Sequence, residues 1–244
     1  MDQHQKVAEI IKERGYVVAF TGAGISVDSG IPAFRGGQGL WEKYDPMEYA
    51  HIQAFQRDPE KVWRMLREMA QTVFDAQPSP AHKALATLET QGALKAVITQ
   101  NVDGLHQIAG NMNVIEYHGN HRRLVCLSCA RKIPFTPEAA QKIPYPVCER
   151  CGEPFKPDVV FFGEAIPWVE MARANEEARN CKVMIVIGTS GVVYPAAEIP
   201  FTVHSNGGTI VEINVAPTPF TSAITDHFFE GSASEVLPKI LALL

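Results

Sequence analysis

Short apolar segments alternate with amphipathic ones along the chain, and this alternation is the feature that most limits its possible folds. Residues 16–20, 95–99, 182–187 and 209–213 are brief apolar runs rich in β-branched side chains, which predicts buried strands. Residues 114–117 and 158–162 are predicted as further short strands, and helical spacing of apolar residues is clearest in residues 59–74. Apolar strands that alternate with helices form parallel sheets covered on both faces. The sequence therefore predicts an α/β fold.

Small or polar residues follow each of the four main predicted strands. They are Gly22-Ala23-Gly24, Gln100-Asn101, Gly188-Thr189-Ser190 and Asn214. In open α/β sheets, ligands bind outside the carboxyl ends of the strands, so these segments together predict a nucleotide cleft.

The segment after the first strand partly matches the dinucleotide-binding pattern G-x-G-x-x-G. Gly22 and Gly24 supply the first two glycines, but Val27 occupies the position of the third. An ordinary strand-to-helix turn therefore remains an alternative for this segment taken alone. Residues 29–36 then add glycine, proline, Phe34 and Arg35, a composition that suits a mobile loop over a bound cofactor.

Four of the five cysteines form two Cys-x-x-Cys pairs. Cys126 and Cys129 are separated from Cys148 and Cys151 by 18 residues, a spacing that matches zinc sites with four thiolate ligands. Four thiolates complete a tetrahedron and leave no position for water or substrate, which predicts one structural Zn²⁺. Cys181 adjoins a predicted strand and is expected to be an unreactive core thiol.

The overall composition narrows the possible partners and compartments. A formal net charge of −5 argues against strong nonspecific binding to nucleic acid, and no apolar run has the ~18 residues that a membrane helix needs. The first 15 residues are charged throughout and lack the apolar region of a secretory signal. Cysteines without such a signal indicate a reducing compartment, so we expect a cytoplasmic protein with neither a membrane nor a nucleic-acid partner.

Further motifs lie at or near the predicted strand ends. They are GIPAFR at 30–35, TQNVD at 99–103, LH at 105–106, HG at 118–119 and VFFGE at 160–164. Together with the glycine segments, the four cysteines and Asn214, they give the chain a close resemblance to the sirtuins, the NAD-dependent protein lysine deacylases. The resemblance runs from about Val7 to the C-terminus.

The resemblance implies a large Rossmann-like domain and a small inserted domain that contains a zinc ribbon. We expect the large domain to comprise about residues 1–35, 78–118 and 158–244. The small domain would then consist of a helical insertion at about 36–77 and a zinc module at about 119–157. NAD and an acyl-lysine protein or peptide would meet in the cleft between the domains.

The resemblance also implies which residues contact NAD, in four groups. They are Gly22, Ala23 and Gly24 for the pyrophosphate; Phe34 and Arg35 for the loop that covers the cofactor; Gln100, Asn101 and Asp103 for nicotinamide and its ribose; and Gly188, Thr189, Ser190, Asn214, Val215 and Ala233 for the adenosine side.

His118 is the expected catalytic residue. The resemblance implies that the acyl oxygen displaces nicotinamide from C1′ of its ribose, and that the matching histidine then acts as a general base on a ribose hydroxyl. An imidazole that titrates near neutrality suits this role. The chain has 8 histidines, and His118 is distinguished by its position at a strand end before Gly119. His106 lies near the cofactor segment and is expected to be structural.

Two segments match the edges between which the family's substrate peptide adds as a strand. These are Val160, Phe162 and Gly163 on one side, and Val193 and Tyr194 on the other.

The helix after the cover loop indicates which acyl groups the protein would accept. Sirtuins that remove acidic acyl groups carry Tyr-x-x-Arg there, because the arginine binds a carboxylate. Leu66 and Met69 occupy those positions here and share one helix face, which fits either an apolar acyl tunnel or core packing. We therefore expect neutral acyl groups, acetyl and longer ones, to be preferred over succinyl.

The expected activity is NAD-dependent removal of acyl groups from protein lysines, with release of nicotinamide and O-acyl-ADP-ribose. Mono-ADP-ribosyl transfer is an alternative, because it shares the displacement of nicotinamide and differs in the nucleophile. A hydride-transferring dehydrogenase is disfavoured, since the acidic ribose-binding residue expected ~20 residues beyond the glycine loop is not evident. A non-catalytic sensor of NAD or ADP-ribose is a further alternative, against which the intact His118, Asn101 and Asp103 argue.

Overall fold

The structure, a computed structural model, describes residues 2–34 and 39–244. The strands within them are β1 (Val17–Thr21), β2 (Leu94–Thr99), β3 (Val114–Glu116), β4 (Gly119–Cys126), β5 (Lys132–Pro134), β6 (Phe155–Val159), β7 (Val183–Ile187), β8 (Thr209–Asn214) and β9 (His227–Glu230). The α-helices are α1 (Gln3–Arg14), α2 (Leu40–Lys43), α3 (Pro46–Tyr49), α4 (Ile52–Arg57), α5 (Pro59–Asp75), α6 (Pro80–Thr90), α7 (Leu105–Ala109), α8 (Pro137–Ala140), α9 (Trp168–Asn180), α10 (Glu198–Ser205), α11 (Pro219–Ala223) and α12 (Ala233–Leu241). A 3-10 helix spans Ala23–Ser29.

Six parallel strands form a large sheet in the order β3-β2-β1-β7-β8-β9. Its central strands β1 and β7 are buried at every residue, because helices pack on both faces. Helices α1, α6 and α12 cover one face around Leu85 and Leu237. Helices α9, α10 and α11 cover the other around Val203 and Phe220. The predicted α/β class is confirmed, and the strand order reverses between β1 and β7, where such sheets bind ligands.

The sequence locates the four main strands to within one residue at each end. The strand predicted at 158–162 is misplaced, because β6 ends at Val159 and belongs to a second, smaller sheet. The apolar run continues as a loop, in which the amide of Phe162 donates to the carbonyl of Ala50 at 2.9 Å. Sequence analysis does not predict strand β9, because its four residues are too few to show an apolar pattern.

The small sheet joins β5, β4 and β6 in antiparallel order and packs against α4, α5 and α8. Trp63 of α5 is fully buried there, and its indole Nε1 donates to the carbonyl of Phe155 at 2.8 Å. The guanidinium of Arg67 donates to three further carbonyls, those of Ala140, Lys142 and Pro144. Helix α5 is therefore fixed to the cysteine-containing segment by both packing and hydrogen bonds.

No helix within residues 2–34 and 39–244 is long and apolar enough to cross a membrane.

The carboxyl ends of β1 and β7 are in direct backbone contact. The amide of Gly22 donates to the carbonyl of Ile187 at 2.9 Å, and the amide of Gly24 donates to the carbonyl of Gly188 at 2.8 Å. A Cβ added at Gly24 would lie 2.5 Å from Cα of Gly188. Glycine is required here because a side chain would force the two loops apart.

The substitution Gly24→Ala tests this contact. We expect it to lower the free energy of unfolding by about 1–3 kcal/mol, the usual cost of overpacking, as measured by urea denaturation. The neighbouring Ala23→Gly is the control, because it adds flexibility without a clash and should cost about 0.5–1 kcal/mol. Wild-type stability of Gly24→Ala would contradict the requirement for glycine.

Candidate functional site

A continuous cavity of about 690 Å³ runs from the carboxyl ends of the large sheet to α5 and β6. The sequence-predicted site residues in its wall are Gly22, Ala23, Gly24, Phe34, Leu66, Met69, Gln100, Asn101, His118, Val160, Phe162, Gly163, Gly188, Thr189, Ser190, Val193, Tyr194, Asn214, Val215 and Ala233. Arg35 lies outside the described residues, and Asp103 is not part of the wall. The cavity thus joins the glycine segments at one end to an apolar helix face at the other.

His118 faces this cavity from the residue before β4. Its Nδ1 lies 3.2 Å from the carbonyl oxygen of Gln100, and a carbonyl only accepts, so Nδ1 carries the proton. Burial lowers the pKa of His118, against the opposing effect of this hydrogen bond. The imidazole is therefore neutral at pH 7, with Nε2 as a free base.

Asp103 lies behind the residues that line the cavity, and only 6% of its surface is exposed. Its Oδ2 accepts from Oγ of Ser26 at 2.8 Å, and its Oδ1 accepts from the amide of Leu105 at 2.9 Å. Nδ2 of Asn101 in turn donates to Oγ of Ser26 at 3.2 Å and to the carbonyl of Gly22 at 3.0 Å. The carboxylate of Asp103 therefore orients Asn101 through Ser26, a link that sequence spacing did not indicate.

Two more histidines lie beneath the cavity, outside its wall. The rings of His82 and His106 are 4.7 Å apart, and Nε2 of His106 lies 3.0 Å from Oγ1 of Thr21. Burial lowers the pKa of His82 to about 4 and that of His106 well below its ordinary value. Both rings are therefore uncharged components of the core.

The adenosine end of the predicted site is fixed by side-chain hydrogen bonds. Nδ2 of Asn214 donates to the carbonyl of Thr189 at 2.9 Å, which joins the ends of β7 and β8. The carboxylate of Glu212, 1% exposed, accepts from the hydroxyls of Thr218, Thr221 and Thr225. These bonds hold the segment after β8 against the sheet.

The opposite end of the cavity is apolar and more extensive than Leu66 and Met69 alone predict. Met65, Ala70 and Val73 of α5 also line it, as do Phe135 and Val159. Residues four apart lie on the same face of a helix, and Met65, Met69 and Val73 of α5 have this spacing. The helical periodicity of the sequence could therefore have identified Met65 and Val73 as further wall residues. His121 is a further wall residue that sequence analysis did not identify.

Aromatic rings connect the two ends of the cavity. The ring of Phe34 stacks on that of Trp41 with centroids 5.2 Å apart, and Trp41 lies 6.5 Å from Phe162. The loop that carries Phe34 is thereby packed toward the predicted peptide segment.

The four predicted zinc ligands lie together. The Sγ atoms of Cys126, Cys129, Cys148 and Cys151 are all within 4.8 Å of one another, with pairs at 3.4 and 3.6 Å. Tetrahedral zinc with Zn–S bonds of about 2.3 Å requires sulfurs about 3.8 Å apart. The cluster fits a zinc ion that would be held by four thiolates, and none of the four cysteines lines the cavity.

The fold and site define an α/β protein of the nucleotide-binding type with an inserted four-cysteine module. The sequence profile of the Sir2 family matches residues 22–195. An NAD-dependent protein deacylase of Pyrococcus furiosus is 48% identical over 243 residues, which cover 97% of this chain and 96% of that protein. NAD-dependent protein deacylase 1 of Archaeoglobus fulgidus is 48% identical over 238 residues, covering 97% and 96%.

Solved structures give the same result. A Sir2 homolog–NAD complex superposes with a TM-score of 0.92 at 47% identity, covering all of this chain and 96% of that one. A mutant Sir2 homologue in complex with ADP-ribose gives a TM-score of 0.95 at 46% identity, with coverage of 100% and 96%. The chain belongs to the Sir2 family, the sirtuins.

Removal of one cysteine ligand tests the metal site. In Cys148→Ser we expect zinc content, measured by mass spectrometry of the purified protein, to fall from about one ion per chain to a small fraction of that. The thermal unfolding midpoint should fall as well, since metal binding and folding are coupled in such modules. Cys181→Ala is the matched control and should retain zinc, because Cys181 is buried against the large sheet. Equal zinc in both variants would contradict the assignment.

Proposed function

We propose that this protein removes acyl groups from lysine side chains of proteins, with NAD as cosubstrate. In the balanced reaction, acyl-lysine, NAD and water give lysine, nicotinamide and O-acyl-ADP-ribose. The observation that carries the proposal is the neutral His118, whose free Nε2 faces a cavity that joins a glycine-lined end to an apolar end. The names of the two archaeal relatives support the same activity.

NAD would occupy the glycine-lined end. We assign its pyrophosphate to Gly22, Ala23 and Gly24, because backbone amides at a strand-to-helix turn attract phosphate. Phe34 and Arg35 would lie over the bound cofactor. Gly188, Thr189, Ser190, Asn214, Val215 and Ala233 are assigned to the adenosine side.

Nicotinamide would lie next to His118. We assign Gln100 and Asn101 to the nicotinamide and its ribose, with Asp103 acting through Ser26 and Asn101. In this arrangement Nε2 of His118 accepts a proton from a ribose hydroxyl, which makes that hydroxyl nucleophilic. General-base catalysis of this kind contributes about 10²–10⁴ in rate.

The acyl-lysine peptide would enter between Val160, Phe162 and Gly163 on one side and Val193 and Tyr194 on the other. Both backbone groups of Phe162 already bond to residues 50 and 52, so its contribution is the side chain. The amide of Val160 already donates to the carbonyl of His118, so the carbonyl of Val160 and the backbone of Gly163 would pair with the peptide. Leu66 and Met69 would then line the acyl chain.

The remaining assignments concern architecture and location. We propose a large domain of about residues 1–35, 78–118 and 158–244 and a small domain of about 36–77 and 119–157, with zinc structural in the latter. Four cysteines arranged as metal ligands support a reducing, cytoplasmic environment, and a net charge of −5 supports the absence of direct nucleic-acid binding.

The direct test is to incubate the protein with an acetyl-lysine peptide and NAD and to quantify nicotinamide, deacetylated peptide and O-acetyl-ADP-ribose. Equal amounts of the three products support deacylation. Labelled protein without deacetylated peptide would indicate mono-ADP-ribosyl transfer. NAD binding without release of nicotinamide would indicate a sensor.

The substitution His118→Ala tests the catalytic assignment. We expect kcat for deacetylation to fall by about 10²–10⁴, because the general base is lost. Zinc content and the thermal unfolding midpoint should stay near wild type, which separates lost chemistry from lost folding. Undiminished turnover would refute the role of His118.

The pH profile of the wild-type enzyme extends this test. Burial lowers the pKa of His118 below its ordinary value of 6.5, so the base form is populated throughout the range above pH 6.5. The ratio kcat/KM should therefore hold as pH falls to 6.5 and decline at lower pH as His118 takes up a proton. A decline that begins well above pH 7 would contradict the lowered pKa.

Acyl selectivity provides a further prediction. Among the described wall residues there is no lysine or arginine, so a succinyl carboxylate would be buried without a cation. We expect kcat/KM for acetyl-lysine to exceed that for succinyl-lysine by more than about tenfold. The double variant Leu66→Tyr/Met69→Arg should raise succinyl turnover relative to acetyl, since it introduces a guanidinium. Comparable wild-type turnover of both substrates would contradict the prediction.

A further inference from the structure

His51, the residue before α4, holds one hydrogen-bond donor beside the segment assigned to the peptide. The amide of Gln53 donates to its Nδ1 at 3.2 Å. Because an amide N–H only donates, Nδ1 carries no proton and the ring proton is on Nε2. His51 is partly exposed, and its Nε2 keeps accessible surface and has no hydrogen-bond partner among residues 2–34 and 39–244. Nε2 therefore offers a free N–H in a fixed tautomer.

The backbone on both sides of His51 fixes this ring beside the cavity wall. The amide of Phe162 donates to the carbonyl of Ala50 at 2.9 Å, and the amide of Ile52 donates to the carbonyl of Phe162 at 3.0 Å. These two bonds pair His51 with Phe162 in parallel orientation. Ala50, Phe162 and Gly163 all line the cavity. The imidazole is therefore held next to one edge of the proposed peptide site.

The ring occupies the space of the side chain that Gly163 lacks. A Cβ added at Gly163 would lie 2.9 Å from Cε1 and 2.9 Å from Nε2 of His51. In paired strands, the side chains of directly opposite residues lie on the same face, with Cβ atoms about 4.5–5.5 Å apart. A peptide residue that pairs with Gly163 would therefore project its side chain along the imidazole of His51.

The donor defines which side chain fits at this position. An N–H group bonds to a lone pair, which the carbonyl oxygen of a carboxamide supplies and an aliphatic side chain does not. Asparagine and leucine have nearly the same shape and differ in this property, as do glutamine and methionine. These amide side chains are the sharpest probes, because they carry the acceptor oxygen without a charge.

We propose that His51 selects protein substrates in which a residue within two positions of the acyl-lysine carries a side-chain carbonyl oxygen, which accepts a hydrogen bond from Nε2. This inference rests on the proposed function, because it requires a substrate peptide to pair with the backbone of Gly163. His51 contributes to the choice of substrate sequence and takes no part in bond formation.

The experiment measures kcat/KM at saturating NAD for acetyl-lysine peptides with asparagine or leucine, and with glutamine or methionine, at each position within two residues of the acetyl-lysine. Each amide-to-aliphatic ratio is compared between the wild type and His51→Ser. Serine keeps a side-chain oxygen for the amide of Gln53 but removes the donor beside Gly163. At one position we expect the ratio to fall by about 3- to 10-fold in His51→Ser, the range for one net hydrogen bond. At the other positions the ratio should stay at its wild-type value.

Two further variants separate the hydrogen bond from packing. His51→Gln should retain part of the preference, because its amide nitrogen can donate. Ile52→Val is the matched control, since Cγ2 of Ile52 would lie 3.3 Å from a Cβ at Gly163. It changes the packing beside the same residue without removing a polar atom, so the ratio should stay near the wild-type value. The ratio of two peptides within each variant cancels any general loss of folded or active enzyme.

The outcomes separate this inference from the proposed function. Deacetylation with the same ratios in the wild type and in His51→Ser at every position overturns the role of His51 alone. A fall of equal size at every position does the same, because it would reflect a general loss of peptide binding. No turnover of any acetyl-lysine peptide by the wild-type enzyme overturns both.

Discussion

The site depends on the hydrogen bonds made by the segment that follows β2. The amide of Gln100 donates to the carbonyl of Thr21 at 2.9 Å, which fixes this segment beside the glycine loop. The carbonyls of Gln100 and Val102 then accept from Nδ1 of His118 and His121, respectively. A carbonyl cannot donate, so both imidazoles have the same tautomer, with the proton on Nδ1. One short stretch of backbone therefore determines which nitrogen of each histidine carries the proton.

The loop after β6 shows how a segment without regular structure is held in place. Lys156 is 1% exposed, and its ammonium lies 2.9 Å from the carboxylate of Glu164 and 4.3 Å from the ring centroid of Phe161. Burial lowers the pKa of Lys156, and the charge of Glu164 opposes the shift. Glu164 also accepts from the amide of Phe161 at 2.8 Å. Backbone that leaves the sheet at Val159 is thus held by an ion pair between the buried Lys156 and the partly exposed Glu164.

Sequence reasoning succeeded where a pattern reports burial directly and failed where orientation depends on distant residues. The apolar runs located the strands, and cysteine spacing located the cluster, because each pattern is local. The apolar run at 158–162 was misleading, since its partners are His118 and residues 50–52, far away in sequence. The hydrogen bond of Asp103 to Ser26, which links it to Asn101, also could not be predicted, because its partner lies far away in sequence. His121 gave no signal, because its place in the cavity wall depends on the hydrogen bond of its ring to Val102, a residue far away in sequence.

The four-cysteine module and His118 are coupled by the chain itself. Strand β4 begins at Gly119, directly after His118, and ends at the candidate ligand Cys126, so the same strand carries both features. Gly119 has φ of 76°, and a Cβ there would lie 2.2 Å from the carbonyl oxygen of Asp158 in β6. A side chain at Gly119 would therefore clash with β6 directly beside His118. Pairing with β6 at both ends of β4, Gly119 with Val159 and Cys126 with Phe155, therefore places the cysteine cluster and His118 on one continuous antiparallel sheet.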